Sequence, residues 1–210
     1  MKHLNAERRT LGSAMGKGTS PLVPAHYEYR APVEIQSDGN TIFGYAAVFN
    51  SLSQDLGGFR ELIKPGAFTK TLADGLEKFG LWAHETRLVL GALSNNTLLL
   101  REDAKGLYWE AKLPSTSYAS DVRELLKGKY ISKCSFGFRC HPEGSTWFED
   151  EKGVVTRTLT SVQLFEVSVL GDPAYTDTEA DCRTAKAEFD KFRKKDLDPA
   201  MRMRLLQLSL

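Results

Sequence analysis

Ile131–Cys140 reads ISKCSFGFRC, and how this stretch is extended decides the fold. On a β-strand, successive side chains point to opposite faces. Cys134, Phe136, Phe138 and Cys140 then share one face, and Ile131, Lys133, Ser135, Gly137 and Arg139 share the other. The first set is a good core face. The second puts a hydroxyl beside a glycine, where another backbone or a substrate can approach closely. The stretch is a core strand that leaves one question open, whether Ser135 is structural or a nucleophile.

Working outward, STSYASDVRELLKG just before it is the clearest helix. Ser117 can cap it, Tyr118, Val122, Leu125 and Leu126 form an apolar stripe, and Gly128 ends it. After the strand come a loop around HPEGS and then VVTRTLTSVQLFEVSVLGDPAY, one or two further strands. Upstream, SDGN lies between two β-rich runs and marks a hairpin, because Asp, Gly and Asn tolerate the positive φ of a tight turn. KPGAFTKTLADGLEKFG sets Phe68, Leu72, Leu76 and Phe79 at helical spacing, with Pro65 near its start and Gly80 just past its end. Gly75 weakens that helix. LWAHETRLVLGAL, NTLLLRED and GLYWEAKLP read as three strands, the last two joined around AKG. Many short strands with two internal helices predict an α+β, mainly β fold, a mostly antiparallel barrel or sandwich with helices around it. Three segments follow: a flexible arm over 1–25, rich in Gly and Ser; a folded domain over 26–176; and a charged, helical tail over 177–210, broken at Pro199.

The 210 residues carry a net charge of +1, so no global field argues for nucleic acid or an acidic membrane surface. Three cysteines without CxxC pairing argue against a disulfide framework or a structural zinc site. The N-terminus has positive charge but no apolar run behind it, and no stretch approaches the roughly 18 apolar residues of a membrane span. The expectation is a soluble, intracellular protein.

Four histidines are available for proton transfer: His3, His26, His84 and His141. The first two lie in or beside the arm. His84, inside or at the end of a strand in LWAHETRLVLG, is either a hydrogen-bonded histidine of the fold or a general base. Glu166 interrupts the apolar run SVQLFEVSVLG. Alternation puts it with Val162, Leu164, Ser168 and Leu170, where a carboxylate loses hydration and needs a cationic or N–H partner. It is either an edge or salt-bridge residue or the group that orients a catalytic imidazole. Ser135 lacks a GxSxG elbow, which disfavours an α/β-hydrolase. Its neighbour Cys134 is a rival nucleophile turned toward the core, where thiols are mostly inert.

GYAAVFN, GGFRELIKPGAF, the HE of LWAHETRLVLG, SFGF and LFEVSVLGDPAY occur in this order between about residues 42 and 176. Together they resemble the HK97-type prohead proteases of tailed bacteriophages, a family similar in fold to the herpesvirus maturational proteases. The resemblance implies a mostly antiparallel β-barrel surrounded by helices. It implies Ser135 as nucleophile, His84 as base and an acidic third member, ranked Glu166 first and Asp172 second. Glu85 adjoins the base but points to the opposite face of a strand. His141, six residues beyond Ser135, would lie about 20 Å away on a continuing strand at roughly 3.3 Å per residue. The implied substrates are the scaffolding segment of the major capsid protein and the protease itself, cleaved inside the procapsid in the host cytoplasm. Neither nucleic acid nor membrane is an implied partner, no metal or organic cofactor is required, and homo-oligomerisation is left open. The reading from another class is a non-catalytic capsid-assembly or scaffold-binding module on the same barrel.

Overall fold

The computed structural model describes residues 28–171 and 183–195. Eleven strands and three helices follow in chain order: β1 (Glu28–Asp38), β2 (Thr41–Val48), β3 (Phe59–Ile63), α1 (Thr69–Leu72), β4 (Phe79–Trp82), β5 (Glu85–Ala92), β6 (Leu98–Glu102), β7 (Gly106–Lys112), α2 (Ser117–Lys127), β8 (Lys133–Cys140), β9 (Ser145–Glu149), β10 (Val155–Leu159), β11 (Val162–Leu170) and α3 (Arg183–Lys195). Eight strands form one sheet in the order β5-β4-β11-β8-β1-β2-β7-β6, and β3-β10-β9 form a second. Pairing is antiparallel except between β4 and β11 and between β3 and β10.

The α+β, mainly β reading holds, but the ladders do not close into a barrel. The large sheet curls until Gly91 on β5 meets β7, where a Cβ on that glycine would lie 3.2 Å from the Ala111 Cβ. Yet β5 and β6 remain terminal strands. Two register shifts carry β5 out of the β4 ladder, and the Tyr118 hydroxyl of α2 donates to the Val89 carbonyl at 2.9 Å. Bulges turn an edge and a hydroxyl satisfies it, which are two ways to end a sheet without a closing partner.

The core face expected for β8 forms as read. Cys134, Phe136, Phe138 and Cys140 are all buried. The Phe136 and Phe138 rings stack with centroids 5.1 Å apart, and Phe68 meets Phe136 edge-on at 5.6 Å. The hairpin at SDGN also forms, with Gly39 at φ 60° between Asp38 and Thr41.

Several local readings differ. The helix expected over 65–80 is reduced to the four residues of α1. Gly66 and Gly75 both adopt positive φ, and the Asp74 carboxylate accepts the Leu76 N–H and the buried Lys78 ammonium. Those local bonds draw the chain into a turn, and Phe79 opens β4 instead. The α2 cap is Thr116, whose side chain accepts the Ala119 N–H, one residue before the expected Ser117. LWAHETRLVLGAL is a hairpin, β4 to β5, and not one strand. The loop expected around HPEGS is a short 3-10 turn over Pro142–Gly144 leading into β9.

Beside the main core, α3 packs on the small sheet through Phe189 and Phe192, against Phe59 and Trp147. The fully buried Arg157 guanidinium lies between Glu61, at 3.1 Å, and Glu188 of α3, at 2.9 Å. A buried cation needs such paired acceptors.

Candidate active site

Three strands position the site. β11 runs between β8 and β4, with Ser168 directly opposite Ser135 and Glu166 opposite Gly137. Opposed residues on an antiparallel pair lie on the same face with Cβ atoms about 5 Å apart. Glu166, Ser168, Ser135 and Gly137 therefore form one four-residue patch.

The patch depends on an irregularity that alternation does not reveal. Between Leu164 and Glu166 the register shifts by one residue, so two residues of β11 oppose one of β8. Leu164, opposite Phe138, and Val162, opposite Cys140, stay on the core face. Phe165 is the extra residue, and after it Val167 and Val169 take the core positions. Strict alternation groups Glu166 with Val162 and Leu164; the bulge separates them and turns the carboxylate to the Ser135 face. The segment around α1 secures the stretch that β4 does not reach. The Thr71 hydroxyl accepts the Leu164 N–H at 3.0 Å, and the Ala67 carbonyl accepts the Val162 N–H at 3.0 Å.

His84 is not on a strand. Trp82 pairs with Glu85, leaving Ala83 and His84 as a two-residue loop with φ of 54° and 58°. Positive φ at both central positions is a type I′ turn, which Asn-Gly ordinarily fills. For Ala and His the left-handed region costs about 1–2 kcal/mol each. The Ala83 N–H donates to the Val169 carbonyl at 2.9 Å, and the His84 N–H donates to the Ser168 hydroxyl at 3.2 Å.

The side chains then meet. His84 Nδ1 is 2.8 Å from Glu166 Oε1, and the Ser168 hydroxyl donates to Glu166 Oε2. The Glu166 side chain is 10% exposed and that of His84 is 21% exposed, whereas Ser135 and Ser168 are fully buried. The imidazole is the end of the patch that faces solvent.

A family model described as the caudovirus prohead serine protease matches residues 26–194. The chain belongs to that family. Among solved structures, the bacteriophage T4 capsid assembly protease is similar, with 10% identity and a TM-score of 0.45 over 70% of this chain and 96% of that one. No curated protein matches the sequence. As a prohead serine protease, the chain is a capsid-maturation enzyme of tailed phages.

Within this prohead protease, Cys134 is fully buried; burial first, and the Glu166 charge second, push its thiol far above the ordinary range. A thiol held protonated is no nucleophile. His141 is exposed and precedes the 3-10 turn after β8. Glu85 begins β5, one residue past the turn, and engages Arg87. His3, His26 and Asp172 lie outside the described residues. Ser168 is the site residue that sequence reasoning left without a role, although its place two residues from Glu166 was a signal. Among the described residues no group of His, Cys, Asp and Glu could hold a metal ion, and no helix is long and apolar enough to cross a membrane.

Proposed function

We propose that this prohead protease is an endopeptidase with Ser135 as nucleophile, His84 as general base and Glu166 as the group that orients the base. The observation that carries the reading is the 2.8 Å contact from His84 Nδ1 to Glu166, made beside a hydroxyl that stands opposite Ser135 in register. A carboxylate on Nδ1 fixes that nitrogen as the protonated one and leaves proton acceptance to Nε2. Nε2 takes the Ser135 proton as Oγ bonds to the substrate carbonyl carbon. The resulting imidazolium gives that proton to the leaving amine as the C–N bond breaks. Water then attacks the acyl-enzyme by the same route and releases Ser135. Main-chain N–H groups must hold the oxyanion. Since the His84 side chain is 21% exposed and Ser135 only 1%, the peptide approaches from the imidazole side.

By its resemblance to the HK97-type proteases, the substrates are the scaffolding segment of the major capsid protein and the protease itself, cleaved inside the procapsid. The arm over 1–25 is then a candidate for trimming, whereas loss of the whole tail over 177–210 would remove α3, with its Phe189 and Phe192 against Phe59 and Trp147 and the Glu188 partner of the buried Arg157. The test is Ser135→Ala and His84→Ala, each assayed for cleavage of a scaffold-type substrate and for labelling by a fluorophosphonate, which requires an activated hydroxyl. Both variants are expected to lose turnover and labelling. Wild-type turnover in either removes that residue from the site, whereas a parent protein with neither turnover nor labelling favours a non-catalytic assembly module.

A further inference from the structure

We propose that Ser168 is a positioning residue of this site, the single hydroxyl that locks both the carboxylate and the backbone of the base. The inference rests on the Ser135–His84–Glu166 reading and adds what keeps those groups in place. Its Oγ makes two bonds at once. It donates its proton to Glu166 Oε2 and accepts the main-chain N–H of His84 at 3.2 Å. Glu166 in turn holds His84 Nδ1 through its other oxygen. Ser168 thus closes a ring that runs from the His84 backbone through its own hydroxyl and the Glu166 carboxylate to the His84 ring.

Such a ring answers a particular mechanical need. The base sits in a two-residue turn whose left-handed conformation neither Ala83 nor His84 favours. Strain of that kind persists only where surrounding groups over-determine the conformation. The Ala83 N–H is tied to a main-chain carbonyl, but the His84 N–H is tied to a side chain that mutation can remove. Ser168 is fully buried in the middle of β11 between two paired strands, so its hydroxyl has a fixed origin. An alanine or valine there would also complete the strand, but of these residues only one with a hydroxyl can both donate to the carboxylate and accept from the turn.

The experiment compares the full-length protein with Ser168→Ala and Ser168→Thr. Three quantities are read: the fluorophosphonate inactivation constants kinact and KI, and the solvent-exchange rate of the downfield His84 Nδ1 proton by NMR. Removing the hydroxyl frees the turn and one carboxylate oxygen. A displacement of about 1 Å at a reacting group costs on the order of 100-fold. Ser168→Ala is expected to lower kinact by about that factor with KI unchanged, and to speed exchange of the Nδ1 proton about tenfold or more. Ser168→Thr keeps the hydroxyl on a β-favourable residue and is expected to restore both. A folded Ser168→Ala with parental kinact and an equally protected Nδ1 proton overturns the proposal. Should the alanine variant not fold, Ser168→Thr decides alone: a folded threonine protein that has lost the protected proton overturns it. Labelling that persists at the parental rate in Ser135→Ala defeats the underlying triad reading instead, and the proton measurement still reports on Ser168.

Discussion

Replacing Glu166 by glutamine keeps the shape of the side chain and removes its charge, so it isolates what the carboxylate contributes. In the proposed mechanism His84 takes the Ser135 proton, and the imidazolium so formed has its Nδ1 2.8 Å from Glu166 Oε1. Both charges are delocalised, which puts the charge centres about 4 Å apart, and at an effective dielectric of about 20 their attraction is roughly 4 kcal/mol. The side chains are 21% and 10% exposed, so that partly screened dielectric suits the site better than a dry interior. The neutral imidazole of the ground state gains far less, so most of the term acts on the barrier. At about 1.4 kcal/mol per factor of ten, Glu166→Gln is expected to slow turnover, or fluorophosphonate inactivation, by about 1,000-fold with substrate affinity little changed. The assay is kinact and KI on the parent, Glu166→Gln and Asp172→Asn side by side, with thermal unfolding to confirm that each is folded. A rate within threefold of the parent for Glu166→Gln would refute the electrostatic role, and a large loss in Asp172→Asn alone would transfer it to Asp172.

Other outcomes follow from the surrounding structure. Cys134 is expected to resist iodoacetamide in the native protein, since burial and then the Glu166 charge keep its thiol protonated; alkylation at Cys134 by mass spectrometry before unfolding would contradict this. Asp74→Ala leaves the buried Lys78 ammonium with the Leu76 carbonyl at 3.0 Å but without the carboxylate it bonds at 2.6 Å, and is expected to destabilise the fold by about 3 kcal/mol, roughly 10 °C in Tm. Burial alone would raise the Asp74 carboxyl, but the Lys78 ammonium, the Leu76 N–H and the Thr71 hydroxyl together hold it below its ordinary value of 3.8. The stability it contributes is therefore present above about pH 4 and lost as pH falls through the lowered folded value, so the gap between parent and Asp74→Ala in denaturant melts should shrink toward pH 2. Gly106→Ala would bring a Cβ to 2.0 Å from the Ala47 carbonyl oxygen, and the forced shift of β2 is expected to cost about 1–3 kcal/mol by the same melts.

Elements governed by period and composition were legible in the sequence. The core face of β8, the SDGN hairpin and the helix ending at Gly128 follow from alternation, turn chemistry and an apolar stripe, all properties of neighbouring residues. Features decided by contacts across the chain were not. The helix expected over 65–80 gives way where Asp74 and two glycines draw the chain into a turn. The register shift at Phe165 comes from pairing with β8, more than 20 residues earlier, and no local pattern marks it. Closure of the sheet likewise depends on how its two end strands meet, which alternation within each strand does not specify.

Two of the irregularities that sequence periodicity missed shape the candidate site in a core sheet. Without the shift at Phe165, Glu166 would continue the face of Leu164 and point among the phenylalanines, where an unpaired carboxylate costs several kcal/mol. Without the left-handed pair at Ala83 and His84, β4 would run on beside β11 and carry the imidazole away from Glu166, whose partner in register is Phe79. Each departs from the regular geometry its sequence context favours, and each is secured by a hydroxyl from elsewhere: Thr71 on the Leu164 N–H, Ser168 on the His84 N–H. Regular strands alone would bury these residues or separate them. It follows that Thr71 and Ser168, neither of which performs chemistry in the proposed mechanism, act on the site through the main-chain groups they hold.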